Sequence, residues 1–455
     1  MTDKKTGFPT KPFRTPGGAR VPHRKHTADI QSVIMPSPKT VTIPMQQHIG
    51  APCKPVVSAG DTVYVGTMIG DSDAFVSAPI HSSVSGTVKS ITKITLPGGT
   101  VTQAVVIESD GLDTPDPEIK PPVVENIGDF LQAVRASGLV GLGGAGFPAH
   151  VKLNVPKGKS IDTLLINCAE CEPYITADNR EVIENSWAVM SGVYSVLEIL
   201  GIDRVIIGIE NNKPEAIKIL KEIADNEQYD PQDKVRILPL KASYPQGAEK
   251  VLIKACTGRE VPAGKLPADS GCIVMNVTSI AFISDFLKTG MPLIRKRITV
   301  DGSAVKEPKN VIAPIGTPIN EVMEFCGGYK TEPKKILMGG PMMGLAVSDD
   351  TLPILKQNNA ILAFDEKEAK LSEATDCIRC GRCVDACPMR LMPTKLCADV
   401  KLKDFDLMKK HQIMTCMECG SCAFSCPAHR HIVQTIRMGK SMLRAQTAKE
   451  KEAKK

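Results

Sequence analysis

Cys377-Ile-Arg-Cys380-Gly-Arg-Cys383-Val-Asp-Ala-Cys387-Pro388 is echoed by Cys416-Met-Glu-Cys419-Gly-Ser-Cys422-Ala-Phe-Ser-Cys426-Pro427. Both runs read C-x2-C-x2-C-x3-C-P. Three thiolates at two-residue intervals on a tight loop can wrap three irons of a cubane, and the fourth, held by the following proline, points to a second cluster. Exchanging the fourth cysteines between the runs gives two [4Fe–4S] sets. Cys377, Cys380, Cys383 and Cys426 hold one; Cys416, Cys419, Cys422 and Cys387 hold the other. Gly381 and Gly420 fall where the backbone must approach the sulfurs or take a positive φ. The alternative is zinc, which uses four ligands, usually from two C-x2-C pairs, and has no use for a third and fourth cysteine in one run. The 28 residues between the runs (388–415) exceed what a minimal two-cluster module needs, and 395–409 reads as helix.

Outside these runs the chain is ordinary in composition. It has 455 residues, 42% hydrophobic and 23% charged, which is globular and long enough for about three domains. Aromatics are 4%, with one Trp, against a base-stacking nucleic-acid platform. No apolar run is long enough to span a membrane, and Met1–Arg14 lacks the apolar core of a signal peptide. The net charge of +6 suits an anionic surface, an acidic partner or an anionic cofactor, and equally a solvated surface. Of 15 cysteines, nine lie between Cys377 and Cys426; in a reducing compartment this favours metal over disulfides.

From residue 126 to 286 helices and strands alternate. Helices are expected at 127–137, 214–224 with Pro at the first turn, and 247–257, and along Ile183, Trp187, Met190, Tyr194 and Leu197. Strands are expected at 163–166, 205–209 and 235–240. Such alternation implies a parallel sheet with helices on its faces and ligands at the carboxyl ends of its strands. Gly141-Leu-Gly143-Gly144-Ala-Gly146-Phe147-Pro148 matches G-x-G-x-x-G, but a helix precedes it, so an ordinary dinucleotide fingerprint is not indicated. Its glycines expose backbone N–H groups and can cradle a phosphate; an interdomain hinge is the alternative. Asn167-Cys-Ala-Glu170-Cys171-Glu172-Pro173 follows a strand. Its C-x2-C pair, lacking partners nearby, reads as buried thiols beside a cofactor rather than half a zinc site.

The segments GLGGAGFP (141–148), NCAECEP (167–173), YPQGAEK (244–250) and Asn276-Val277 resemble the flavin- and NADH-binding subunit of respiratory complex I. FRTPGGARVP, IGAPCKPVV (49–57), SAPIHSSVSGTV (77–88), GREVPAGKLPAD (258–269) and the two cysteine runs extend the likeness over nearly the whole chain to the C subunits of bacterial Rnf (Rsx) electron-transport complexes. The resemblance implies FMN, with NADH stacked on it, as well as the two clusters. Carried over by position, Gly141, Gly143, Gly144, Gly146, Asn167, Glu170, Glu249 and Asn276 would contact FMN. Phe147, Lys152 and Glu172 would contact NADH. Leu142, Ala169 and Ala248 depart from the complex I pattern (Arg, Asp and Glu there), so nucleotide contacts should differ. A flavin also suits the clusters chemically, because it takes a hydride and releases electrons singly.

The resemblance implies a multidomain α/β organisation: an extended N-terminal arm (1–37), a barrel-sandwich, lipoyl-like domain (38–125), a parallel α/β FMN/NADH domain (126–286), a small β-grasp domain (287–360), a helical two-cluster ferredoxin-like domain (361–440) and a basic tail (441–455), of which Lys449–Lys455 reads as a frayed end. The barrel has no Lys at a hairpin tip and should carry no swinging arm. The Gly-rich stretch 339–344 reads as a strand–turn rather than a second phosphate site. The implied role is an NADH dehydrogenase-type subunit of an ion-translocating ferredoxin:NAD+ oxidoreductase. It would be peripheral, at the cytoplasmic face of the cell membrane, with ferredoxin-type and membrane flavoprotein subunits as partners and no nucleic acid. Two other readings stay open: a cobalamin reductase of the related microcompartment family, and a ferredoxin-like adaptor without flavin.

Overall fold

The computed structural model describes residues 7–230 and 232–452. A four-stranded parallel sheet lies at the centre, in the order Val235–Leu240, Arg204–Glu210, Thr163–Cys168, Cys272–Asn276. Its strands are near-continuous apolar runs, as a sheet buried on both faces requires. Helix Ser186–Leu200 and helix Val277–Thr289 cover one face with Leu164, Ile166, Val205 and Ile207. Helix Glu249–Thr257 covers the other with Leu165, Ile206 and Val274. The order reverses between Thr163–Cys168 and Cys272–Asn276, where Asn276 stands beside Asn167. That reversal leaves a crevice at the carboxyl ends of the two strands.

A barrel of two small sheets precedes this unit. Thr40–Pro44, Val101–Ser109, Gly86–Thr95 and Thr62–Val63 form one; Lys54–Pro55, Met68–Asp71 and Ile80–His81 form the other. Val41, Ile43, Ile69, Val88 and Ile107 fill the space between them. The long hairpin Gly86–Thr95/Val101–Ser109 points its tip, Leu96 to Thr100, at the crevice.

The six-stranded mixed sheet runs Val33–Ile34, Lys309–Pro314, Arg295–Asp301, Ala360–Phe364, Lys335–Met338, Leu345–Ala346, with helix Ile319–Phe325 packed on its core. The N-terminal arm adds an edge strand, Val33–Ile34, to this sheet. The sheet also runs past residue 360: Ala360–Phe364 is buried at all five positions and lies between two other strands.

The C-terminal unit is built on helices Pro393–Leu402, Phe405–Lys410 and Ile432–Glu452. The single helix expected at 395–409 is two, divided at Lys403 (φ 54°), where the Asp404 side chain caps the second. The helical spacing from Ile183 to Leu197 likewise spans two helices, Ala177–Glu184 and Ser186–Leu200, broken at Asn185. Of the end expected to fray, Lys449 to Glu452 form the last turn of helix Ile432–Glu452, which is rich in helix formers and carries a Gln446–Glu450 side-chain bond at i,i+4. Residues 453–455 lie outside the described residues.

Candidate functional site

The crevice opens into a cavity of about 540 Å³ whose lining includes Gly141, Gly143, Gly144, Phe147, Lys152, Asn167, Glu172, Glu249 and Asn276. Nine of the eleven residues expected at a flavin–nucleotide site therefore share one cavity. Gly146 and Glu170 do not line it. Gly146 faces the Gln357 side chain, with a Cβ position 3.3 Å from it, and its carbonyl accepts from Ile49 N of the barrel at 3.0 Å. Glu170 turns the other way and caps helix Ala177–Glu184, accepting from Asp178 N at 2.6 Å and Asn179 N at 3.3 Å.

The glycine loop is held from beneath. Gly141 N donates to Phe147 O (2.8 Å), Leu142 N to Ser279 Oγ (3.0 Å), and the buried Lys296 Nζ to Leu142 O (3.1 Å). The buried Leu142 side chain anchors the loop. The five-residue helix Ala149–Leu153 follows it. Gly143 permits a close approach: a Cβ there would lie 3.1 Å from Asn276 Nδ2. Gly144, at φ 119°, faces open space. Loop N–H groups beside open space, at the start of helix Val277–Thr289, suit a phosphorylated ligand. Asn276 caps that helix through Ser279 N and donates to Asp178 Oδ2 at 2.8 Å; Thr278 holds the other Asp178 oxygen at 2.7 Å.

On the facing wall, Asn167 Nδ2 donates to Gly247 O (2.8 Å), and Lys152 pairs with Glu249 at 3.2 Å. Glu172 Oε2 accepts from Met342 N at 3.0 Å, and burial raises its carboxyl to about 7. Cys168 is fully buried, and burial pushes the Cys171 thiol up to about 12, so both stay protonated neighbours of the cavity. The turn 339–344 closes this side. Leu96 and Pro97 from the barrel hairpin, Gln357 to Asn359, and Met417 complete the lining. None of these carries a sequence signal for ligand binding; their placement is tertiary.

Eight of the cysteines fall into two groups. Cys377, Cys380, Cys383 and Cys426 line a cavity of about 530 Å³, and Cys387, Cys416, Cys419 and Cys422 line a tighter, separate one. The two runs repeat one backbone conformation. Arg379 and Glu418 (φ 57° and 60°), Gly381 and Gly420 (79° and 84°), and Arg390 and His429 (54° and 48°) are left-handed at equivalent positions. Backbone N–H groups face two of the sulfurs, Leu391 N to Cys387 Sγ at 3.3 Å and Glu418 N to Cys416 Sγ at 3.4 Å, as thiolate ligands require. Among the described residues no three His, Cys, Asp or Glu side chains converge on one metal ion. The sulfurs instead surround spaces.

The flavin-type cavity and the tighter cysteine cavity share Met417 in their linings. Tyr244, buried between them, donates its hydroxyl to Cys419 O at 2.5 Å and lies 3.5 Å from Glu172 Oε1.

Family models match four successive segments: the RnfC barrel sandwich hybrid domain at 13–112, the Nuo51 FMN-binding domain at 134–285, the SLBB domain at 297–346 and the 4Fe-4S dicluster domain at 376–431. The chain is 46% identical, over 94% of its length and 93% of the relative's, to the C subunit of the proton-translocating ferredoxin:NAD(+) oxidoreductase complex of Clostridium ljungdahlii. It is 43% identical, over 95% of its length and 98% of the relative's, to the C subunit of the Na(+)-translocating ferredoxin:NAD(+) oxidoreductase complex of Acetobacterium woodii. The C subunit of the ion-translocating oxidoreductase complex of Rhodobacter capsulatus is 38% identical over 96% of this chain and 84% of its own.

Proposed function

The chain belongs to the family of C subunits of ion-translocating ferredoxin:NAD+ oxidoreductase (Rnf) complexes, and we propose that it is the point at which such a complex exchanges electrons with NADH. FMN and two [4Fe–4S] clusters are its cofactors. Bound here, FMN would supply hydride exchange with the nicotinamide and single-electron release, and the clusters would supply one-electron transfer.

The residues present fit these groups. Gly141, Gly143 and Gly144 offer backbone N–H groups to the flavin phosphate, with the start of helix Val277–Thr289 behind them. Asn167, Glu249 and Asn276 orient the flavin; Phe147, Lys152 and Glu172 receive the nucleotide. Glu170 supports this site from outside it, by fixing helix Ala177–Glu184. Cys377, Cys380, Cys383 and Cys426 hold one cluster, and Cys387, Cys416, Cys419 and Cys422 the other. Gly339, Gly340 and Met343 to Leu345, with Leu96 and Pro97 of the barrel hairpin, add to the cavity wall.

The observation that carries this reading is the wall shared by the flavin-type cavity and the Cys387/Cys416/Cys419/Cys422 cavity at Met417. It supports that cluster as the flavin's neighbour and the other, with Cys377 and Cys380 exposed, as the outward one. No helix among the described residues is long and apolar enough to cross a membrane. The chain attaches peripherally to other subunits of the complex, at the cytoplasmic face, with ferredoxin-type and membrane flavoprotein subunits as its electron partners. The near-full-length relatives, barrel included, disfavour the cobalamin-reductase alternative.

Anaerobic reconstitution with iron, sulfide and FMN, followed by NADH or NADPH, tests this. Flavin bleaching with cubane EPR signals from two clusters, preferring NADH, is expected. Clusters that assemble yet ignore both nucleotides, with no flavin retained, would make the chain a ferredoxin-like adaptor.

A further inference from the structure

The segment Gly17-Gly18-Ala19-Arg20-Val21-Pro22-His23-Arg24-Lys25 lines neither the flavin-type cavity nor a cysteine cavity, yet it is fastened to both. At its start it lies on the segment that carries Cys387. Gly17 has φ 64°, and a Cβ there would stand 2.6 Å from the Cys387 carbonyl carbon. Gly18 N donates to Ala386 O at 3.0 Å. Ala19 then pairs with Tyr244 in both directions, Ala19 N to Tyr244 O at 2.7 Å and Tyr244 N to Ala19 O at 3.2 Å. Tyr244 is the residue whose hydroxyl reaches Cys419 O.

At its other end the segment enters the loop that carries Glu172. His23 O accepts from Tyr174 N at 3.0 Å. Lys25 Nζ donates to Glu170 O at 2.8 Å, to Glu172 O at 2.9 Å and to Ile175 O. One ammonium thus gathers three carbonyls of a single loop, in which Glu170 and Tyr174 stand at φ 47° and 70°. Arg24 adds bonds to the Tyr174 hydroxyl and to Glu368. A stretch of nine residues therefore grips both sides of the gap between the flavin-type cavity and the nearer cysteine set.

We propose that residues 17–25 are a positioning strap for electron transfer between the flavin and the Cys387/Cys416/Cys419/Cys422 cluster. Gly17 and Gly18 seat the cluster side, Lys25 seats the loop bearing Glu172, and the chain between them fixes the separation. The inference rests on the cofactor placement proposed above. In the step concerned, NADH has delivered two electrons as hydride, one electron leaves the reduced flavin, and the oxidised cluster takes it up. Neither Gly17 nor Lys25 touches a reacting atom, so both act through position. A shift of either side changes the gap that the electron crosses, and the rate follows that gap.

The test uses the reconstituted full chain in anaerobic stopped flow, following flavin absorbance and then cluster reduction by freeze-quench EPR. Gly17→Ala introduces a Cβ against Cys387; Lys25→Met removes the ammonium. Both are expected to keep wild-type FMN and iron content, while cluster reduction slows relative to flavin bleaching in the same variant, roughly tenfold or more. Cluster reduction at the wild-type rate in Lys25→Met would overturn the proposal. So would loss of FMN or iron from Lys25→Met, because the role would then be structural only. If Gly17→Ala assembles no cluster, Lys25→Met, which lies on the flavin side, decides alone. Failure of NADH to bleach the wild-type flavin would instead sink the functional reading, and is seen before any variant is made.

Discussion

Glu172 is pulled in two directions. Burial favours its neutral form, while the Met342 and Met343 N–H groups and nearby Lys25 favour the carboxylate. Burial wins, and the folded pKa rises from 4.5 to about 7. Between those values the folded chain binds more protons at this site than the unfolded chain. The group therefore subtracts stability as pH rises from 4.5 to about 7, and its cost is constant above. Glu172→Gln keeps an oxygen for Met342 N but cannot titrate. Calorimetric Tm followed against pH is expected to fall less, or rise more, in the variant over that window, leaving it the more stable protein at alkaline pH. Parallel Tm profiles would show that the carboxyl is effectively solvated. At this scale the grouping of the cysteines around two cavities was legible, because the repeated spacing marks it. The two loop acids were not separable: Glu170 and Glu172 sit two apart on one polar loop, and only the fold sends one to cap a helix and the other into the cavity.

Among the elements, helix Val277–Thr289 does most to place the site, because its cap Asn276 stands at the switch in strand order. Its position depends on Gly192 in the facing helix Ser186–Leu200, where a Cβ would lie 2.1 Å from Ile280 O. Gly192→Ala must separate the helices. The expected cost is about 1–3 kcal/mol, read as a lowered Tm, together with reduced FMN retention because Asn276 moves with its helix. An unchanged Tm would mean that the helices part freely. Asn276→Ala and Asn276→Asp divide this effect further. Alanine loses the cap, at about 1 kcal/mol, whereas aspartate keeps it but sets a carboxylate against Asp178, 2.8 Å from the present amide nitrogen. Both variants should lose FMN, measured as flavin per protein, the first through loss of the cap and the second through repulsion between the two carboxylates. The strands and helices from 204 to 240 were legible because Pro214 and unbroken apolar runs mark their ends. The break at Asn185 was not, since the apolar spacing continues through it. The helix before the break is tied by Arg297 of the neighbouring sheet, through Glu181 at 2.8 Å and Glu184 at 2.5 Å, a constraint no local pattern reveals.

Across the whole molecule, the barrel, the α/β unit and the segment before strand Ala360–Phe364 meet at one buried side chain. Lys356 is 1% exposed. Its Nζ donates to Pro79 O at 2.6 Å and Gly138 O at 2.7 Å, and its backbone N donates to Gln47 Oε1 at 3.0 Å. The next residues, Gln357 to Asn359, wall the cavity, so this junction ties the alignment of the domains to the shape of the site. Contacts 277 and 218 residues apart in sequence leave no local trace. Burial drives its pKa from 10.5 to about 7. Between those values the folded chain binds fewer protons than the unfolded one, so this group's cost of burial is largest below about pH 7 and is relieved as pH climbs to 10.5. Lys356→Met abolishes that titration and leaves two buried carbonyls without their donor, at about 1–3 kcal/mol each. The variant should therefore lose stability relative to wild type, by an amount that grows with pH across that window. Chemical denaturation at a series of pH values measures it. A difference independent of pH would mean that the ammonium is already solvated in the folded state, and a difference that shrank with rising pH would reverse the sign derived from its burial. Because the same side chain aligns the cavity wall, FMN retention should fall with stability in this variant, whereas Glu172→Gln should gain stability at alkaline pH.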